Sequence, residues 1–112
     1  MARHPMIKPK EKLLGLNPAF SATLTGIAIK LPFDLIITEG VPATTVGSHV
    51  KDSAHFRGLA ADLRHEGDIL KAMRIAYWLG RLNVVRVGFY DRHIHADVDP
   101  KLPQTQWEGK SA

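Results

Sequence analysis

The chain has 112 residues, 45% of them hydrophobic and 23% charged, which suits one folded domain with one core and excludes a disordered chain. It contains no cysteine, so disulfides and thiolate ligands are excluded and any metal must be held by His and carboxylates. The formal charge of +4 and the pI near 9.6 favour encounter with polyanions, although a solvated basic surface explains them equally well.

No stretch approaches the ~18 apolar residues of a membrane span. The start, MARHPMIKPKEK, lacks the apolar core of a secretory signal. Residues 1–12 carry Pro5 and Pro9 and read as an irregular arm. Asn17 is a suitable N-cap with Pro18 at the first helical position; Phe20, Leu24, Ile27 and Leu31 follow at helical spacing, and Pro32 stops the run. DLIITEG is a compact β-branched run that reads as a buried strand. VPATTVGSHVKDS is a loop by composition, and LAADLR is a short strand.

Asp68 can cap a second helix. Its apolar stripe is expected at Ile69, Leu70, Met73, Ala76 and Tyr77, with Lys71, Arg74, Trp78 and Arg81 opposite and Asn83 as its stop. VVRVGFY and HIHADVD read as strands broken by a turn at 90–92. Residues 100–112, with Pro100, Pro103 and Trp107, read as a tail over the surface, anchored by the tryptophan. His4 and His65 read as solvated, and Trp78 as a surface-packing aromatic. The expected fold is a single α+β domain over 1–112, with a small, mostly antiparallel sheet and two main helices.

Alternation along a strand puts His93, His95 and Asp97 on one face and Ile94, Ala96 and Val98 on the other. In HFRGLAADL, Gly58 permits a turn between His55 and the strand carrying Asp62, while Ala60 leaves space beside that Asp. A chain turned back at Gly58 can bring His55 and Asp62 together, and one His from HIHADVD completes a three-ligand set with an open fourth position. An open position is the mark of catalytic zinc. Six histidines in 112 residues are also compatible with exposed or capping roles, and spacing leaves both readings open.

SAHFRGLAADL resembles the Ser-x-His-x-x-Gly-x-Ala-x-Asp signature of the LAS metallopeptidases, which include zinc D-Ala-D-Ala carboxypeptidases, phage L-alanyl-D-glutamate endopeptidases and the hedgehog signalling domain. HIHADV resembles that family's His-x-Asp strand, LIITEG resembles the strand-turn before the first motif, and the likeness covers about residues 13–99. It implies a hedgehog-like or D-Ala-D-Ala-peptidase-like fold, Zn2+ as cofactor, and His55, Asp62 and His95 as ligands. Ser53 matches a residue that contacts substrate, and Asp97 matches a carboxylate that orients a ligand. The family's general base lies three residues before the last ligand; here that position is Arg92, with Asp91 one residue earlier and His93 as the alternative base. Pro42 stands about where relatives carry an oxyanion Arg, and Arg57, His49 or Lys51 are the substitutes within reach.

The expected function is zinc-dependent cleavage of peptidoglycan stem peptides by a monomer with catalytic Asp91 or His93, metal ligands His55, Asp62 and His95, and substrate contacts from Ser53, Arg57 and His49. The expected context is phage or prophage cell-wall lysis, from the host cytoplasm or the virion. The alternative is a non-catalytic, zinc-binding, hedgehog-like interaction module. Nucleic acid is not an expected partner, because the chain shows no recognition helix and no aromatic-basic platform.

Overall fold

A computed structural model describes residues 6–39 and 57–109. The first strand, β1 (Ile7–Lys8), is followed by a 3-10 turn over Lys10–Leu13 and by helix α1 (Pro18–Lys30). The Asn17 side chain accepts from the backbone N–H groups of Ala19 and Phe20, so the expected cap forms. Strand β2 (Leu35–Glu39), strand β3 (Ala60–Arg64), helix α2 (Ile69–Arg81), strand β4 (Arg86–Phe89), strand β5 (His93–Asp97) and strand β6 (Gln106–Glu108) complete the order.

The strands form one six-stranded sheet in the order β1-β2-β3-β5-β4-β6. Its three central pairings are antiparallel, and the outer pairings, β1 with β2 and β4 with β6, are parallel. The α+β class with two helices is therefore the observed one, and its mixed edges come from segments expected to be irregular. Residues 6–12 are not a loose arm: Ile7 is buried and pairs with Leu35. The same segment is tied down where the Met6 N–H donates to Asp34 and the Lys8 ammonium pairs with that carboxylate at 3.1 Å. The tail likewise adds a strand, because Gln106–Glu108 can satisfy the free edge of β4.

Both helices cover the same face of the sheet. Phe20, Leu24 and Ile27 of α1 and Ile75 and Leu79 of α2 close over Leu35, Ile37, Ala61, Leu63, Ile94 and Ala96. Each fully buried Leu or Ile of this size contributes roughly 1.5–3 kcal/mol of transfer free energy.

Helix α2 corrects the expected stripe. Its buried side chains are Ile75 and Leu79, with Ala72 and Ala76 packed beside them, whereas Ile69, Leu70, Met73 and Tyr77 are exposed. The helix has two apolar arcs, and the arc with the small residues approaches the sheet. Asp68 caps it through the Lys71 N–H, as expected. Asn83 at positive φ ends it. Trp78 is half-buried against the core, with the Lys30 ammonium over its ring.

Candidate metal centre

With the helices on one face, strand alternation sends Asp62 and His95 to the other. The β3–β5 register sets Asp62 opposite His95, and the β4–β5 register sets Gly88 opposite His95 and Arg86 opposite Asp97. Five consecutive cross-strand pairs hold β3 on β5, from Ala60↔Asp97 to Arg64↔His93, so the position of Asp62 beside His95 is fixed by backbone pairing.

His95 is clasped at both ring nitrogens. Nδ1 lies 3.0 Å from Asp62 Oδ1, and Nε2 lies 3.0 Å from Asp97 Oδ2. Burial works against a charged ring here, but the hydrogen bonds to Asp62 and Asp97 outweigh it and raise the His95 pKa to about 9. Asp97 is buried; that burial favours its neutral form, yet the His95 hydrogen bond and the Asp99 N–H hold its pKa below the ordinary carboxylate value. Asp97 also meets Arg86 Nε at 3.2 Å.

His93 stands beside this pair, its Nε2 3.8 Å from Asp62 Oδ2 and its ring stacked on Tyr90 at a centroid distance of 4.5 Å. Burial lowers its pKa, and the attraction of Asp62 only partly opposes that. Burial thus favours the neutral form of His93, while the two carboxylates favour the protonated form of His95.

Trp107 closes one side of the centre. A Cβ on Gly88 would sit 2.6 Å from the indole ring, so only glycine lets β6 lay its tryptophan over β4 at this point. The indole N–H donates to Tyr90 Oη, its ring lies 5.6 Å from that of His95, and the Arg86 guanidinium stacks on it at 4.7 Å.

The sites expected from sequence divide into two groups. Asp62, His93, His95 and Asp97 come together on one sheet face. His55, Ser53 and His49 lie outside the described residues, as does most of the loop expected before β3. Arg57 pairs with the fully buried Asp99, whose backbone N–H donates to Asp97. This ties the residue two places after His55 to the end of β5. Gly58 turns the chain there, at φ +71°. A Cβ on it would lie 2.3 Å from the Gly15 carbonyl oxygen, so its absence lets the chain approach the start of α1, where Asn17 N–H donates to the Gly58 carbonyl.

Asp91 occupies the turn between β4 and β5 and lines a groove of about 350 Å³ with His65, Met73 and Phe89. His65 is not solvated as expected: it is buried, accepting from the Gly67 N–H at Nδ1 and reaching the Tyr90 carbonyl through Nε2.

Among the described residues no three His, Asp or Glu side chains form a complete metal cluster. The two expected ligands that are described stand side by side as hydrogen-bond partners, Asp62 Oδ1 3.0 Å from His95 Nδ1, so one ion shared by both would have to open that contact and displace the proton in it. The remaining His95 nitrogen meets a buried carboxylate, the usual support of a metal-bound imidazole.

Sequence reasoning missed Arg86, Gly88, Trp107 and Asp99. The signal for Arg86 and Gly88 was alternation in VVRVGFY, which places both on the polar face. Trp107 gave no such signal, because its contact depends on the β4–β6 pairing. In comparisons with known proteins, no protein-family model and no curated protein matches the chain.

Proposed function

We propose that the chain is a zinc-dependent peptidase that cuts peptidoglycan stem peptides, of the D-Ala-D-Ala carboxypeptidase or L-Ala-D-Glu endopeptidase type, acting in phage or prophage cell-wall lysis. The observation that carries the reading is the linear array Asp62–His95–Asp97. It sets a carboxylate and an imidazole side by side, with a buried carboxylate behind the imidazole. His55 would be the third ligand, delivered by the segment that the Arg57–Asp99 pair and the Gly58 turn anchor. Bound there, zinc would supply an acidic water and polarise a carbonyl.

The remaining groups have separate tasks. His93, its neutral form favoured by burial and its ring within 3.8 Å of Asp62, is placed to take a proton beside the ligand pair. Asp91 is the other candidate base; its turn is adjacent, but it lines the groove shared with α2. The geometry favours His93 of the two. Trp107 and Tyr90 wall one side of the centre. Ser53 and His49 would position the peptide, and the +4 charge aids the approach of an acidic stem peptide.

Digestion of purified peptidoglycan by the zinc-loaded chain, read by mass spectrometry, tests the reading. Released stem-peptide fragments that vanish with chelator are the expected result, with His93→Ala lowering the rate roughly 10²–10⁴-fold. A His93→Ala enzyme as fast as wild type would return the base assignment to Asp91. A zinc-loaded chain that releases no fragment at all would leave a metal-binding interaction module in place of an enzyme.

A further inference from the structure

The solvent-facing side of α2 is apolar where a surface helix is ordinarily polar. Ile69 is 74% exposed, Leu70 57%, Met73 63% and Tyr77 56%. Ile69, Met73 and Tyr77 follow one another at four-residue steps, and Leu70 lies three before Met73, so all four share one stripe. The stripe continues across the groove of about 350 Å³ to Phe89, which is itself exposed. Exposed apolar surface that is continuous in this way marks a contact face.

The charges beside the stripe identify what it contacts. Ile69–Arg81 contains Lys71, Arg74 and Arg81 and no Asp or Glu. Arg74 extends the Leu70 row by one turn, and Arg81 extends the Tyr77 row, where its guanidinium lies over the Tyr77 ring at 5.9 Å. The acidic groups near the start of the helix are already engaged: Asp68 caps it and Glu66 pairs with Arg64. Asp91 stands across the groove. A second copy of the chain packed on this stripe would add its own Lys71, Arg74 and Arg81 to the same seam and double its positive charge. An apolar stripe flanked by cations is instead complementary to an anionic lipid surface, with the side chains in the acyl boundary and the guanidinium groups among the headgroups.

We propose that the exposed face of α2 docks the protein on an anionic membrane surface. The helices and the candidate metal centre lie on opposite faces of the sheet, so a chain docked through α2 turns Asp62, His93 and His95 away from the bilayer. The docking does not rest on the peptidase reading, and its test contains no activity measurement.

Co-sedimentation of the full chain with vesicles is the experiment. One set contains phosphatidylglycerol and phosphatidylethanolamine, and the other phosphatidylcholine alone. Binding to the anionic set that weakens with salt and falls at least about tenfold in Met73→Asp/Tyr77→Asp is the expected result. Both positions are exposed, so the variant keeps its core. Because the chain has no cysteine, an environment-sensitive dye on Met73→Cys reports contact directly. Its emission should shift to the blue with anionic vesicles and stay unchanged with phosphatidylcholine vesicles.

Any of four results would overturn the proposal. The first is a chain that stays in the supernatant at low salt. The second is binding by the uncharged variant Met73→Ser/Tyr77→Ser equal to that of wild type, which would mean attraction by net charge alone. The third is a vesicle-free dimer that Met73→Asp/Tyr77→Asp converts to monomer, which would make the stripe a self-interface. Binding to polyglutamate that the double variant also loses, without binding to vesicles, would assign the face to an acidic protein and equally reject the lipid.

Discussion

His95 carries a proton that a metal would have to displace. Between Asp62 and Asp97 its pKa stands at about 9, because two carboxylate hydrogen bonds overcome the effect of burial. In an unfolded chain the same ring titrates near 6.5. A group whose pKa is raised on folding contributes stability that is complete below the unfolded value and is lost as pH climbs through the folded one. The metal-free protein should therefore lose roughly 3 kcal/mol of stability between pH 6.5 and 9. His95→Gln should remove most of that slope, and urea unfolding across this window measures both. A wild-type profile as flat as that of the variant would contradict the double clasp. At this scale the sequence was informative: alternation alone placed His93, His95 and Asp97 together. What it could not show was the second partner of each group, such as Arg86 on Asp97 or Trp107 beside His95, because those contacts arise from pairings between distant strands.

Among the elements, α2 separates what periodicity can and cannot say. Its cap and extent were legible from Asp68 and Asn83, since capping depends on neighbours along the chain. Its buried face was not. Residues 69–81 carry apolar side chains on two arcs, and the choice between them is made by the sheet. The arc of Ala72, Ile75, Ala76 and Leu79 packs inward, and the bulkier Ile69, Met73 and Tyr77 remain outside. Ile75→Ala should consequently cost roughly 2–5 kcal/mol, the range for truncating a buried aliphatic side chain. Met73→Ala should change stability by no more than about 0.5 kcal/mol. Thermal or denaturant unfolding of the two variants distinguishes them, and a reversed order would mean that the sequence-based stripe is the core after all. The same physics explains the two edge strands. Ile7–Lys8 and Gln106–Glu108 lie in segments without strong patterns of their own, and they become strands because β2 and β4 offer open edges.

For the whole molecule, the sheet is a partition. One side holds a continuous apolar core under two helices, and the other holds acidic and imidazole groups walled by Trp107 and Tyr90. The α+β class was legible from the order of elements, whereas the strand order and parallel edges required the structure. No helix among the described residues is long and apolar enough to cross a membrane, so contact with a bilayer through α2 would be peripheral. The functional account turns on Asp62 and His95 being two ligands of one ion. Elemental analysis of the purified chain, dialysed against zinc and then against buffer, tests this most directly. About one zinc per chain is expected for wild type, with Asp62→Ala and His95→Ala retaining little or none while Met73→Ala retains it in full. Undiminished zinc in the Asp62 and His95 variants, or none in the wild type, would contradict the account.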